Sequence, residues 1–117
     1  MGEKKILFMF LRPPFGNIYY TEGLRAAVGM MSGLDEHKVT CVYLGDGAFY
    51  SLKDRYKEDT RGYLNTLEKF GELNLNVEKE SLDELDISKD EVDPMFKVVS
   101  RDEVANMIKE CDLAYDF

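Results

Sequence analysis

The sequence predicts an α/β fold in which a mainly parallel sheet of about five strands lies between two layers of helices. Apolar segments typical of strands alternate along the chain with segments of helical periodicity, as expected when helices connect parallel strands. The first apolar segment, residues 6–11, has no polar alternation. This pattern is typical of a strand that is covered on both faces. Together these observations favour a three-layer sandwich.

The length, composition and net charge predict one soluble domain that spans residues 1–117. A chain of 117 residues with 44% hydrophobic and 32% charged residues is long enough for one core. The net charge of −8 would repel a phosphate backbone, so we expect no direct nucleic-acid partner. The six-residue run 6–11 is far too short to cross a bilayer. We therefore expect a cytoplasmic protein that does not bind membranes.

The first half of the chain predicts two strands, each followed by a loop that contains glycine. Residues 6–11 form the first strand, and residues 12–17 form a loop in which two prolines and Gly16 change the chain direction. A helix follows, with an apolar stripe at Leu24, Ala27, Val28 and Met31 and an end near Gly33. Residues 39–44 are β-branched and apolar, which predicts the second strand.

The middle of the chain predicts two helical segments and a strand with one wet face. Residues 48–59 are densely charged and favour a short helix and a loop, whereas residues 60–72 have clear helical spacing. In residues 73–78 leucine and valine alternate with asparagine and glutamate. Alternation of this kind predicts a half-buried strand whose polar face meets solvent or an interface.

The last third begins with an acidic run and then predicts strand, helix and strand. Residues 78–93 carry eight acidic residues and two lysines, which is typical of a solvated surface, with Leu82, Leu85 and Ile87 folded back onto the body. Residues 95–99 predict a strand. Ser100 and Glu103 form a capping box that starts a helix with an apolar face of Val104, Met107, Ile108 and Cys111. Residues 113–117 predict a terminal strand paired in the sheet. Right-handed crossovers between these strands make a flavodoxin-like or Rossmann-like architecture the expected one.

Two loops at the carboxyl edge of the predicted sheet are candidates for ligand binding or for an interface. In open α/β sheets, ligands bind beyond the carboxyl ends of the strands. The first loop contains Pro14, Gly16 and Asn17, and the second contains Gly45, Asp46 and Gly47. Glycines there would let backbone N–H groups approach a small anion or a cofactor edge, or would simply serve a tight turn. The standard nucleotide-binding motifs are absent from the sequence, so no cofactor is predicted.

The cysteines are weak catalytic candidates, and the aromatic residues are candidate interface anchors. Cys41 lies within a predicted strand and Cys111 on an apolar helix face, positions where a thiol is commonly an unreactive small hydrophobe. Two cysteines and one histidine are too few for a closed structural zinc site, so no metal is predicted. The aromatic residues that we expect to be exposed are Phe15, Tyr19, Tyr20, Tyr50 and Tyr56.

Several short motifs resemble those of the DsrE/DsrF-like sulfur-relay proteins, closest to the TusC/DsrF branch. They comprise the first strand, Pro14-x-Gly16, residues 22–26, Leu44-Gly45-Asp46-Gly47-x-Phe49, Ser81-Leu82 and residues 108–117. The resemblance implies a cytoplasmic α/β domain in homo- or hetero-trimers or hexamers of homologous subunits. It also implies that persulfide sulfur passes toward tRNA thiolation or sulfur oxidation, with a small sulfur-carrier protein as a further partner.

In the catalytic members that this resemblance points to, a cysteine after the third strand carries the persulfide. The corresponding neighbourhood is residues 77–82, Val-Glu-Lys-Glu-Ser-Leu, which contains no cysteine. A carboxylate cannot hold a sulfane sulfur. We therefore predict a non-catalytic structural or regulatory subunit of a sulfur-relay complex. The alternatives are an active sulfurtransferase that uses Cys111 or Cys41, and a small-molecule-binding domain that uses the two loops.

Overall fold

The structure is a five-stranded parallel sheet, as predicted. The computed structural model describes residues 4–13, 19–32, 37–53, 64–65 and 74–117, and within the second range the side chains of 22–29. The described strands are β1 (Lys5–Phe10), β2 (Lys38–Tyr43), β3 (Leu75–Glu78), β4 (Phe96–Val99) and β5 (Leu113–Asp116). They form one sheet in the order β4-β3-β2-β1-β5, and every neighbouring pair is parallel.

Helical segments connect these strands. They are α1 (Tyr19–Ser32), a 3-10 helix at Gly45–Ser51, α2 (Lys79–Glu84), a 3-10 turn at Lys89–Glu91 and α3 (Arg101–Glu110). Of the helix predicted over 60–72, the structure describes Leu64 and Asn65, which are helical, and Leu64 is buried. The remainder of that prediction, and residues 54–59 of the preceding one, lie outside the described residues.

Strand β1 is buried on both faces, which is why its sequence lacks polar alternation. Ile6, Phe8 and Phe10 face the larger core, which includes Leu24 and Ala27 of α1. On the opposite face Leu7 joins a smaller core made by Val42, Val99 and Val104 of α3. Helices therefore cover the two faces of the sheet, and the three-layer prediction is confirmed.

Aromatic rings form the centre of the larger core near the carboxyl ends of the strands. The ring of Tyr43 stacks on Phe10 with centroids 4.9 Å apart and meets Phe96 edge-on at 5.0 Å. Tyr50 lies 6.3 Å from Tyr43 and is only 5% exposed. The prediction that Tyr50 is an exposed interface anchor is therefore wrong, because the 3-10 helix Gly45–Ser51 folds this ring back onto the end of β2. The side chains of the other four predicted anchors, at positions 15, 19, 20 and 56, lie outside the described residues.

The chain between β2 and the 3-10 helix passes very close to the end of β1. The N–H of Leu44 donates to the carbonyl oxygen of Phe10 at 3.0 Å. Gly45 follows with a φ of +53°, a left-handed conformation that favours glycine. Gly47 is buried, and a Cβ at this position would overlap the carbonyl oxygen of Phe10. Both glycines thus have a structural reason to be glycine.

Strand β3 differs from the prediction of a half-buried strand whose polar face meets solvent or an interface, because all four of its residues are buried. The amide of Asn76 donates to the Cys41 carbonyl at 3.2 Å and to Asn74 Oδ1 at 3.0 Å. Glu78 pairs with side chains from α2 and α3. Polar groups on this strand therefore find protein partners in place of water, which satisfies the requirement for burying them.

Helix α3 begins as predicted but packs along a narrower stripe. The N–H of Glu103 donates to Ser100 Oγ at 3.1 Å, and the N–H of Ser100 donates to Glu103 Oε1 at 3.3 Å, which completes the capping box. Val104 is buried, and Met107 and Cys111 pack at the edge of the smaller core. Ile108, predicted on the same apolar face, is 45% exposed, because the smaller core is too narrow to cover a fourth position.

We expect Gly47→Ala to lower the free energy of unfolding by about 1–3 kcal/mol, because the added methyl must displace the backbone of β1. Gly29→Ala in α1 is the matched control, since a Cβ there meets nothing within 4 Å. That control should raise the stability by about 0.5–1 kcal/mol through helix propensity. Urea unfolding followed by circular dichroism measures both. Equal effects of the two variants would contradict the close approach at Gly47.

Candidate functional site

Three loops meet at the carboxyl edge of the sheet, where β2, β3 and β4 are adjacent. Residue Gly45 follows β2, Glu78 ends β3 directly before α2, and Arg101 opens α3 after β4. Because parallel strands end at the same edge, these three positions come together although they are far apart in sequence. Their contacts form the cluster that we call the carboxylate cluster: Gly45, Glu78, Glu80, Ser81, Glu84 and Arg101.

The centre of the carboxylate cluster is the buried side chain of Glu78, which is 7% exposed. Arg101 donates to it through two nitrogens, Nη2 to Oε1 at 3.1 Å and Nε to Oε2 at 3.4 Å. The hydroxyl of Ser81 donates to Oε1 at 2.7 Å. The same hydroxyl oxygen accepts the N–H of Gly45 at 2.8 Å, which connects the loop after β2 to the end of β3. Two-nitrogen pairing of this kind suits the planar guanidinium.

Arg101 is also held by the two acidic residues on α2. Its Nη2 lies 3.4 Å from Glu84 Oε1, and its backbone N–H donates to both oxygens of Glu80, at 3.0 and 3.2 Å. A carboxylate at this position suits the partial positive charge of a helix N-terminus. The end of β3 and the helix α2 therefore fix the start of α3 through three carboxylates.

The pKa of Glu78 reflects opposing effects. Burial raises it, but the hydrogen bonds from Arg101 and Ser81 and the positive charge of Arg101 outweigh burial and lower the pKa below its usual value. The hydrogen bond with Glu78 and its negative charge in turn raise the pKa of Arg101. Glu78 therefore stays ionised at neutral pH, and its oxygens are occupied by donors from the protein. This arrangement holds elements together and leaves Glu78 poorly suited to act as a general acid or base.

The predicted loop Gly45-Asp46-Gly47 lies at this edge, and its first residue joins the carboxylate cluster. Its amides serve the fold: the Gly45 N–H binds Ser81, and the Gly47 N–H donates to the carbonyl of Leu44 at 2.9 Å. Asp46 is exposed. The described contacts favour the structural interpretation of this loop over an anion cradle. The other predicted loop residues, Pro14, Gly16 and Asn17, lie outside the described residues.

The two cysteines lie away from the carboxylate cluster. Cys41 is in the middle of β2 and 2% exposed, and burial raises the pKa of its thiol to about 12. Such a thiol is protonated and inaccessible, so it is a poor nucleophile. Cys111 is half-buried at the end of α3, directly before β5, and its Sγ donates to the Ile108 carbonyl at 3.3 Å. Because β5 is parallel to its neighbours, Cys111 lies at the amino edge of the sheet, opposite the carboxylate cluster.

Sequence reasoning missed Glu78 and Arg101 as members of one site. The acidic run 78–93 reads as solvated surface, and Arg101 reads only as the first residue of a capped helix. A usable signal was present: Glu78 ends a short predicted strand that runs directly into the next helical segment, and a charge that such a strand buries requires a partner. Which cation supplies that partner depends on the order of the strands in the sheet.

Two kinds of feature are absent from the described ranges, a metal-binding cluster and a membrane-spanning helix. No group of three histidine, cysteine, aspartate or glutamate side chains among these residues is arranged to hold a metal ion. None of the described helices is both long and apolar enough to span a membrane.

Comparisons with known proteins give one family and one similar fold. The model of the DsrE/DsrF-like family matches residues 4–114 of the chain. Among solved structures, the chain is similar to the crystal structure of the YchN protein from E. coli, with a TM-score of 0.79 and 15% sequence identity. That match covers 97% of this chain and 99% of the other. The search of curated proteins found no match.

We expect Glu78→Gln to lower the free energy of unfolding at pH 7 by about 1–2 kcal/mol, since it removes the charge from a buried, hydrogen-bonded pair. Because the folded pKa of Glu78 is lowered, its contribution is complete above the unfolded value of about 4.3 and is lost as the pH falls through the folded pKa. The variant should therefore converge with the wild type in acid. Urea unfolding at several pH values measures this difference.

Glu84→Gln is the matched control for that experiment. It also removes a charge that pairs with Arg101, but its side chain is 67% exposed. We expect a change within about 0.5 kcal/mol at pH 7, because exposed ion pairs are screened by water. A control as destabilising as Glu78→Gln would show that burial of Glu78 is unimportant.

Proposed function

Because the chain belongs to the DsrE/DsrF-like family, we propose that it is a non-catalytic structural or regulatory subunit of a sulfur-relay complex, of the TusC/DsrF type. The observation that carries this proposal is the carboxylate cluster. Residues 77–82, where the family resemblance implies a persulfide cysteine, span the junction of β3 and α2. The buried polar groups at that junction are the Glu78 carboxylate and the Ser81 hydroxyl.

Neither of these groups can perform the relay chemistry. A persulfide is transferred when a thiolate attacks the outer, sulfane sulfur of a donor persulfide, so that a new sulfur–sulfur bond forms while the donor's sulfur–sulfur bond breaks and its thiolate leaves. A carboxylate and a hydroxyl form no such bond. Glu78 is also sealed by Arg101 and Ser81, with 7% of its side chain exposed. In this proposal the carboxylate cluster holds the junction of β3 and α2 in its fold and takes no part in sulfur transfer.

The proposal includes assembly with homologous DsrE/DsrF-like subunits, in trimers or hexamers, and a cytoplasmic setting. The partner subunit would supply the thiol, and a small sulfur-carrier protein would deliver or accept the sulfur for tRNA thiolation or sulfur oxidation. Light scattering at micromolar concentrations, alone and with candidate partner subunits, tests the assembly. A monodisperse monomer in every sample would contradict it.

We expect the reduced wild-type protein to gain no transferable sulfur after incubation with a persulfide donor, as measured by intact mass and by transfer to an acceptor thiol. The physical reason is the absence of a thiol from residues 77–82 and the burial of Cys41. Cys41→Ser and Cys111→Ser variants serve as controls. Transfer by the wild type that is lost in either variant would establish the alternative function, an active sulfurtransferase.

A gain-of-function variant sharpens this test. Glu78→Cys places a thiol beside the guanidinium of Arg101, a cation that favours the thiolate. We expect this variant to accept one sulfur atom and to transfer it, because the shorter cysteine side chain leaves the space of the glutamate carboxylate open beside Arg101. Asp83→Cys, at an exposed position of α2, should transfer markedly less. Circular dichroism confirms that both variants fold. Equal transfer by the two variants would show that the β3–α2 junction has no special competence for sulfur.

A further inference from the structure

Strand β5 forms one outer edge of the sheet, and we propose that it pairs antiparallel with β5 of a second copy of this chain. In this arrangement a twofold axis passes through Tyr115, and the two sheets join into one. All four residues of β5 are exposed, and on its outer side no described strand follows. Such an edge is a template for pairing with another strand.

The side chains of β5 make this edge apolar on one face. Leu113 is 41% exposed and Tyr115 is 39% exposed. Both lie on the same face of the sheet as Phe8, whose ring centroid is 5.7 Å from Tyr115 and 5.8 Å from Phe117. The stripe Leu113, Tyr115, Phe117 therefore continues the larger core to the edge, where it is left partly in water.

The opposite edge of the sheet, β4, is protected in the usual ways. It follows Pro94, carries the exposed Lys97, and has Phe96 and Val99 buried. Lysine and proline at an edge discourage pairing with other chains. Strand β5 has neither lysine nor proline, and its one charged residue is Asp116. This contrast between the two edges indicates that β5 is the one adapted to pairing.

Backbone geometry determines which groups of β5 are available. Phe117 donates its N–H to Met9 at 2.8 Å and accepts the N–H of Leu11 at 2.9 Å, and the register pairs Tyr115 with Phe8 in the same way. Alternate residues of a strand point their N–H and C=O groups to opposite sides. Ala114 and Asp116 therefore present their backbone groups outward.

Charge and available hydrogen bonds select a single register and favour a second copy as the occupant. With Tyr115 opposite its own copy, Ala114 faces Asp116, and Leu113 faces Phe117, so both apolar stripes merge. With Ala114 opposite its own copy, Asp112 would face Asp116, which is unfavourable for like charges. Asp112 is also engaged already, because its N–H and carboxylate bind the backbone of Lys5 at 2.8 Å each. The first register is self-complementary, as a twofold interface requires.

This inference deepens the assembly that the proposed function includes, but it depends on residues outside the carboxylate cluster. Different experiments would overturn the proposed function and the pairing of β5. Sulfur transfer by the wild type would overturn the non-catalytic role and leave β5 pairing intact, whereas the cross-linking result below concerns β5 alone.

The decisive experiment is disulfide cross-linking in the Cys111→Ser background. Tyr115→Cys places two thiols directly opposite each other at a Cα separation of about 4.5 Å, which a disulfide can bridge. Ala114→Cys is the control, because its two copies would be separated by more than about 7 Å, beyond reach of a disulfide. We expect mild oxidation to give a covalent dimer with Tyr115→Cys and none with Ala114→Cys. The reverse result, or no dimer with either, overturns the proposal.

A second variant tests the backbone pairing without altering any side chain on the apolar face. Ala114→Pro removes one outward N–H and leaves the hydrogen bonds to β1 in place. We expect it to weaken self-association in analytical ultracentrifugation at least about tenfold, whereas Ala114→Ser should match the wild type. Because each copy carries a net charge of −8, added salt should strengthen the dimer. An association that is insensitive to Ala114→Pro overturns the proposal.

Discussion

Burial of β1 on both faces and along both edges is the constraint on which the rest of the structure depends. An apolar strand of this kind requires a strand on each side and a helical layer above and below. Strands β2 and β5 pair with β1 on its two sides, and helices α1 and α3 pack on its two faces. The close approach of Gly47 to the end of β1 follows from the same requirement, because the chain after β2 must pass directly over it. The positions of β2, β5, α1 and α3 thus follow from the burial of β1.

The carboxylate cluster solves a second problem, which is how to fix the helices that follow β3 and β4. A buried ion pair gives limited net stability, because desolvation offsets most of the attraction. It does give geometric specificity, since Glu78, Glu80 and Glu84 all act on the single residue Arg101. The cluster therefore positions α3 relative to α2 more than it strengthens the fold. The same polar contacts occupy the Glu78 carboxylate at the junction of β3 and α2, where the family resemblance implies a persulfide cysteine.

The two outer strands of the sheet, β4 and β5, differ in how well they are protected against pairing with another chain. Strand β4 follows Pro94, carries the exposed Lys97 and has Phe96 and Val99 buried. In β5 the chain leaves an aromatic and a leucine half in water and keeps two residues with outward backbone groups. An exposed edge of this kind is a liability for a sheet unless it has a partner. This asymmetry is the basis of the proposed β5 pairing, and it does not involve the carboxylate cluster.

The sequence by itself determined the alternation of strands and helices, the capping box of Ser100 and Glu103, and the turns at Gly45 and Gly47. These features are local, since periodicity, capping and left-handed backbone depend on residues close in the chain. Tertiary structure alone decided the rest. It buried Tyr50, exposed Ile108, and placed Arg101 against Glu78, 23 residues earlier in the chain. The alternation in β3 could not reveal whether its polar face meets water or protein, because that depends on which strands and helices lie beside it. The candidate site was therefore only partly predictable: Gly45 was foreseen at the edge, whereas the ion pair required the strand order.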